Sequence, residues 1–210
     1  GENLVVTYKD GSKDTIPVDK VVKLDKQPAI EEVTNQADAK IAAIKGNDNL
    51  SKAEQDKAIA DVEKDKAAAL DKIADATNAT DVTAGKDKGT GAVAKVNPIG
   101  KEKAKEEIAK TLEAKKEAIE NNDSLTQAEK EKAKKDAEDK AAAALAEIEK
   151  QPATAETADA ATAAQTTVND KQAEGTKEVA KINPIGKQAA LDKIDEALKA
   201  KEAEMDARTD

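Results

Sequence analysis

The chain has 210 residues, 35 Lys and Arg against 44 Asp and Glu, a formal net charge of −9, and no His, Cys, Trp or Phe. Without imidazole or thiol there is no His base, no thiolate nucleophile, no Cys/His zinc site and no disulfide framework, so only carboxylates, Lys, Ser and Thr remain for chemistry. The acidic balance disfavours nucleic acid and anionic membranes as partners, and no apolar run approaches the roughly 20 residues of a membrane span.

Much of the apolar content is Ala, as at Ala67 to Ala69 and Ala141 to Ala144. Each large buried side chain contributes about 1.5–3 kcal/mol, and this sequence has few of them, so a thick globular core is excluded in favour of thin helical bundles. Ala, Glu, Lys and Asp with sparse, regularly spaced large apolar residues is the composition of long helices, and that periodicity argues against a random coil. No signal-peptide pattern opens the sequence, which reads as a mature chain or a fragment.

Residues 2–24 differ from everything after them. β-Branched residues flank Asp10-Gly11, and alternation through Val6, Tyr8, Ile16 and Val18 predicts a β-hairpin, with Pro17 at an edge position. An isolated hairpin is marginal in water, so this segment reads as the tail of a truncated β-domain. Asp10, Asp19 and Asp25 are expected at turns and surfaces.

From Pro28 onward the period becomes helical. Ile30, Val33, Ala37, Ile41 and Ile44 form one stripe, and Asn47 to Leu50 breaks it. Ser51 and Glu54 make a capping box: the Ser hydroxyl accepts from the amide of the third helical residue while Glu54 reaches back to the Ser amide. The second stripe, Ile59, Val62, Ala69, Leu70 and Ile73, fades near Thr77-Asn78. A third segment holds Val82, Val93 and Val96 and is weakened by Gly85, Gly89 and Gly91.

The sequence then repeats. Val96-Asn97-Pro98-Ile99-Gly100-Lys101 returns 86 residues later as Ile182-Asn183-Pro184-Ile185-Gly186-Lys187, whereas the first capping box returns after only 75, as Thr126 and Glu129. The second copy has therefore gained 11 residues between its capping box and its NPIG turn. Eleven residues make about three helical turns, which predicts longer helices around residues 150–160. The third segment of that copy shows a weak heptad: Ala158, Ala161, Gln165, Val168, Gln172, Gly175, Val179 and Ile182. Three helical segments per copy with short turns predict tandem three-helix bundles. Asn97 and Asn183 are expected to end one helix and cap the next with Pro98 or Pro184 at its first position, and Gly100 and Gly186 answer backbone needs. The turn permits either an antiparallel hairpin or an end-to-end continuation.

Candidate chemistry is thin. Glu31-Glu32 and Glu106-Glu107 read as solvated helix faces, with no EF-hand spacing nearby. Gly85, Gly89 and Gly91 lack the phosphate-loop pattern and a preceding buried strand, and read as small residues for close helix contact. Lys101 to Lys116 alternate with Glu at helical spacing, giving salt-bridged faces instead of a basic patch. No catalytic, cofactor or metal residue is assigned.

The segments VNPIGKEKAKEEI and INPIGKQAALDKIDEALKAKE, each followed by a polar turn, resemble the tandem helical repeats of the DUF1542 family over roughly residues 28–210. The hairpin LVVTYKDGSKDTIPV is similar to the closing strands of Rib-type or bacterial Ig-like domains. Those repeats occur in wall-anchored surface proteins of Gram-positive cocci. The resemblance implies an extracellular, cell-wall-anchored stalk, exported by a signal peptide and held by a sorting motif. The expected fold is all-α, tandem elongated three-helix bundles in a monomeric rod after an N-terminal β-hairpin. The expected divisions are 1–27 hairpin and linker, 28–97 first repeat, 98–183 second repeat and 184–210 first helix of a third. At 1.5 Å rise per residue, two bundles of roughly 25-residue helices would reach some 75 Å. The expected function is a non-enzymatic spacer for an adhesive head, with adjacent repeats as partners. The alternative is a helical module that binds a host extracellular protein, or itself in biofilm accumulation; its weakness is the lack of an aromatic anchor.

Overall fold

The computed structural model describes residues 3–17 and 24–208. Val18 and Asp19, assigned above to the hairpin and its surroundings, and Thr209-Asp210 lie outside the described residues.

Strands β1 (Asn3–Thr7) and β2 (Lys13–Pro17) pair antiparallel, with Leu4 opposite Ile16 and Val6 opposite Asp14. Gly11 takes φ +82°, a left-handed conformation that costs Gly little and an L side chain much more. Asp10 holds the turn by accepting from the Ser12 amide at 3.0 Å and its hydroxyl at 2.6 Å. Pro17 pairs with Asn3 at the end of the ladder, where a missing N–H costs least.

Seven helices follow: α1 (Gln27–Lys45), α2 (Lys52–Asp75), α3 (Ala79–Lys95), α4 (Glu102–Glu120), α5 (Gln127–Glu149), α6 (Ala158–Ala180) and α7 (Gln188–Asp206). No helix among the described residues is long and apolar enough to cross a membrane. The glycines of α3 do not interrupt it. Asn78, where the second stripe fades, is its N-cap and accepts from the Asp81 amide at 2.9 Å.

The chain divides into two compact units, one of residues 1–48, 55–98 and 156–158, the other of residues 49–54, 99–155 and 159–210. The first unit has a core of Ala29, Val33, Ala69, Ile73, Ala76 and Val82, with Leu24, Ile30 and Leu70 around it. In the second, Ile108, Ala137, Ala141, Ala144, Ile148, Val168 and Val179 form the core. Val33, Ile73, Ile108 and Ile148 are fully buried, and each contributes about 1.5–3 kcal/mol, while the many Ala positions trade burial for close approach of helix backbones. A Cβ on Gly89 would overlap that of Ala69. A Cβ on Gly175 would overlap that of Ala144 and come within 3.1 Å of Ile108. The same Gly-on-Ala contact thus recurs in both copies, and the polar and glycine positions of the heptad in α6 are where its neighbours come nearest.

The 11 extra residues are distributed unexpectedly. Helix α5 is no longer than α2. The connection between second and third helices grows from residues 76–78 to residues 150–157, and α6 gains about two turns at its start. The expectation of helices extending on both sides of residues 150–160 is corrected on the α5 side. Lys150 closes α5 as its C-cap, and Pro152, two residues later, cannot continue a helix.

Candidate functional site

Helices α1, α4 and α7 begin alike, with Lys26, Lys101 and Lys187 as N-caps that make no side-chain capping bond. The first amides of a helix have no partner within it, so each start needs an acceptor from elsewhere. For α4 the acceptor is Glu54.

Ser51 and Glu54 form a reciprocal cap: the Glu54 amide donates to Ser51 Oγ at 3.3 Å, and the Ser51 amide donates to Glu54 Oε2 at 2.7 Å. The other carboxylate oxygen, Oε1, accepts from the amides of Lys101 at 2.8 Å and Glu102 at 3.2 Å. One carboxylate therefore serves two helix starts.

The second copy repeats this. Glu129 Oε2 accepts from the Thr126 amide at 2.9 Å and hydroxyl at 3.0 Å, and the Glu129 amide donates to Thr126 Oγ1 at 3.4 Å. Glu129 Oε1 accepts from the amides of Lys187 and Gln188, each at 3.1 Å.

Charge follows from this geometry. Burial pushes the Glu54 carboxyl up, but the amides of Lys101, Ser51 and Glu102 and the Ser51 hydroxyl outweigh it and hold the group below its ordinary value. The amides of Thr126 and Gln188, with the Thr126 hydroxyl and the Lys187 amide, overcome desolvation at Glu129 and lower its pKa to about 2.

The glycine of the NPIG turn makes room for this contact. A Cβ on Gly100 would overlap the Asn49 carbonyl, and one on Gly186 would overlap the Ser124 carbonyl. The matching position before α1 is Asp25, 75 residues before Gly100, and its Oδ1 accepts from the Gln27 amide at 3.0 Å. Where a copy follows another, the position is Gly and the acceptor comes from the preceding turn. Where it follows the hairpin, the position supplies its own acceptor.

The rest of the turn is held by residues that motif reading missed. Gln165 brackets Gly100, accepting from its amide at 2.8 Å and donating to its carbonyl at 3.0 Å. Ile99 is buried and its amide donates to the Ala153 carbonyl at 2.9 Å. Both partners belong to the stretch that is longer in the second copy, so the 11 added residues reach the turn. The sign of Gln165 in the sequence is a polar residue at a heptad seam position.

Asn97 does not cap the following helix, which starts only at Glu102, and Pro98 is not at its first position. The Asn97 side chain turns back, donating to the Ala94 carbonyl at 3.0 Å and accepting from Lys40 Nζ at 3.0 Å. It closes α3 instead, because Glu54 already serves the amides it would have capped. Burial holds the Lys40 ammonium below its ordinary value. Lys115, 75 residues after Lys40, makes the matching contact to Asn183 Oδ1 at 3.5 Å. Pro98 and Pro184 are both half-buried.

The other candidate groups lie on solvated faces. Glu32 pairs with Lys86 at 3.2 Å and Glu106 with Lys110 at 3.1 Å. Several lysines of α4 reach across to α5, as Lys105 to Glu149 at 2.7 Å and Lys116 to Glu138 at 3.0 Å, where the sequence suggested pairs within one helix. Exposed pairs of this kind contribute at most about 1 kcal/mol each. An open trough of about 710 Å³ between α4 and α5 is floored by Ala109, Leu145 and Ala146 and edged by Lys105 with its two glutamates, Glu102 and Glu149. Gly91 faces open space, whereas Gly85 lies against Ile73.

No curated protein and no solved structure matches the chain. Residues 25–99 match the model of the family described as Domain of Unknown Function (DUF1542). That span begins at Asp25, the residue that caps the first helix, and closes inside the first NPIG turn, so one full three-helix copy falls within it, and through residues 25–99 the chain belongs to the DUF1542 family of helical repeats.

Proposed function

We propose that the protein is a non-enzymatic spacer, a segment of an extracellular, cell-wall-anchored surface protein that projects a binding domain by stacking helical copies. The observation that carries this reading is the recurrence of one linkage: Glu54 to the amides of Lys101 and Glu102, then Glu129 to those of Lys187 and Gln188. Such a linkage spends a specific carboxylate, a specific glycine and a specific turn on joining one copy to the next. In a repeat protein each copy contacts only its neighbours, and length grows by copying. The surface location rests on the family resemblance.

Small-angle X-ray scattering over a concentration series tests the reading. A compact globule of 210 residues has a radius of gyration near ~17 Å, and a spacer should give a concentration-independent value nearer ~30 Å. A value near ~17 Å would overturn the proposal, and growth with concentration would favour homophilic adhesion in its place.

A further inference from the structure

Helix α7 carries the pattern of the earlier first helices without their cover. Ala190, Ile194 and Leu198 stand where α4 has Ala104, Ile108 and Leu112. Ile108 is fully buried in a core that includes residues of α5 and α6. In the third copy, Ile185, Leu191, Ile194 and Leu198 are 52–75 % exposed. Apolar side chains repeated at this spacing define a face that fits other helices.

Two positions specify the cover. Ile185 is the counterpart of Ile99, which is buried and bonded through its amide to Ala153 in the connection of residues 150–157. Gln165 brackets the neighbouring Gly100. Among the described residues nothing stands in these places at Ile185 and Gly186. The cover therefore needs a long connection like that of α5 and α6, not the short one of residues 76–78.

Leu191 supplies the second constraint. Its counterpart in α4 is Lys105, whose Nζ lies 2.7 Å from the Glu149 carboxylate. Its counterpart in α1 is Ile30, which packs against the cluster holding Ile73 and Ala76, and there the position of Glu149 is taken by Ala74. Lys at the first position goes with Glu at the second, and an apolar residue goes with Ala. A carboxylate brought against Leu191 would lose its ion pair and part of its water. Lys187 matches Lys26 and Lys101, whose ammonium groups reach the backbone carbonyls of Ala74 and Glu149, so the third copy keeps that anchor.

We propose that this face of α7 docks a helix pair of the α5–α6 design, with its long connection over Ile185 and an uncharged residue at the position of Glu149, supplied by a further copy on the same polypeptide. Its occupant follows from residue correspondences and does not depend on the spacer reading.

The test joins residues 1–206 to a second copy of residues 121–186, with either Glu or Ala in the appended copy at the position of Glu149. Hydrogen exchange is read at the amides of α7. With Ala, those amides should slow at least ~10-fold relative to the 210-residue chain, with Glu the slowing should be smaller, and Leu191→Lys in α7 should reverse that order. Equal exchange in all chains, or equal protection by the two appended versions, overturns the proposal. Protection that rises with the concentration of the 210-residue chain also overturns it, by naming a second molecule as the occupant. A compact scattering radius would sink the spacer reading and leave the exchange result standing.

Discussion

The carboxylate of Glu54 lies 2.8 Å from the backbone nitrogen of Lys101, 47 residues further along the chain. It also caps the helix on which it stands. Glu54→Ala removes acceptors from four donor contacts, two local and two distant, and should cost roughly 2 kcal/mol in urea denaturation followed by circular dichroism. Ser51→Ala removes only the hydroxyl side of the cap and should cost about 1 kcal/mol. Equal losses for the two would mean that the distant amides contribute nothing.

Glu129 makes a pH prediction. Its folded pKa of about 2 lies below the ordinary 4.5, so the charged form favours the fold. The stabilisation is complete above about pH 4.5 and is lost as the pH falls toward 2. Carbon-detected NMR of the Glu129 carboxyl should titrate near 2, and the amides of Lys187 and Gln188 should exchange faster below that point. A midpoint above 4 would exclude the shared-acceptor geometry.

Glycine substitutions should separate two roles. Gly100→Ala forces a Cβ onto the Asn49 carbonyl and should destabilise by about 2 kcal/mol or more. Gly91→Ala fills open space on a helix and should stabilise by about 0.5–1 kcal/mol. Thermal melts of both variants measure the difference in sign.

Gln165→Leu leaves the amide and carbonyl of Gly100 without their partner and should cost about 1–3 kcal/mol in chemical denaturation. Gln172→Leu, at a neighbouring heptad position, provides the comparison and should cost less than half as much.

The helices were readable because their signals are local. Ala29, Val33, Ala37 and Ile44 recur at helical spacing and are buried, and the pattern S/T-x-x-E marks both second-helix starts. Asn97 was not readable in the same way. An Asn before Pro suits either the end of one helix or the start of the next, and the choice depends on Lys40 and Glu54, both distant in sequence. The 11-residue excess was visible as a length but not as a place. Helical phase alone allowed it to lengthen both flanking helices, while Pro152 and the contact of Ala153 with Ile99 put part of it into a connection. Gln165 carried a signal, a polar residue on a seam, but its partner is a backbone group and leaves no trace in the sequence.

Asp25 gives the array a direction in which it can be extended by recombination. A duplicated gene segment that begins with the Gly100 or Gly186 form can be spliced behind any turn that offers a carboxylate, and it arrives ready to join. The Asp25 form placed in the interior would bring a side chain onto the carbonyl that Gly100 leaves clear. Inheritance of extra length is thus expected from the interior copies, while the copy beside the hairpin persists as a single founder at one edge of the gene.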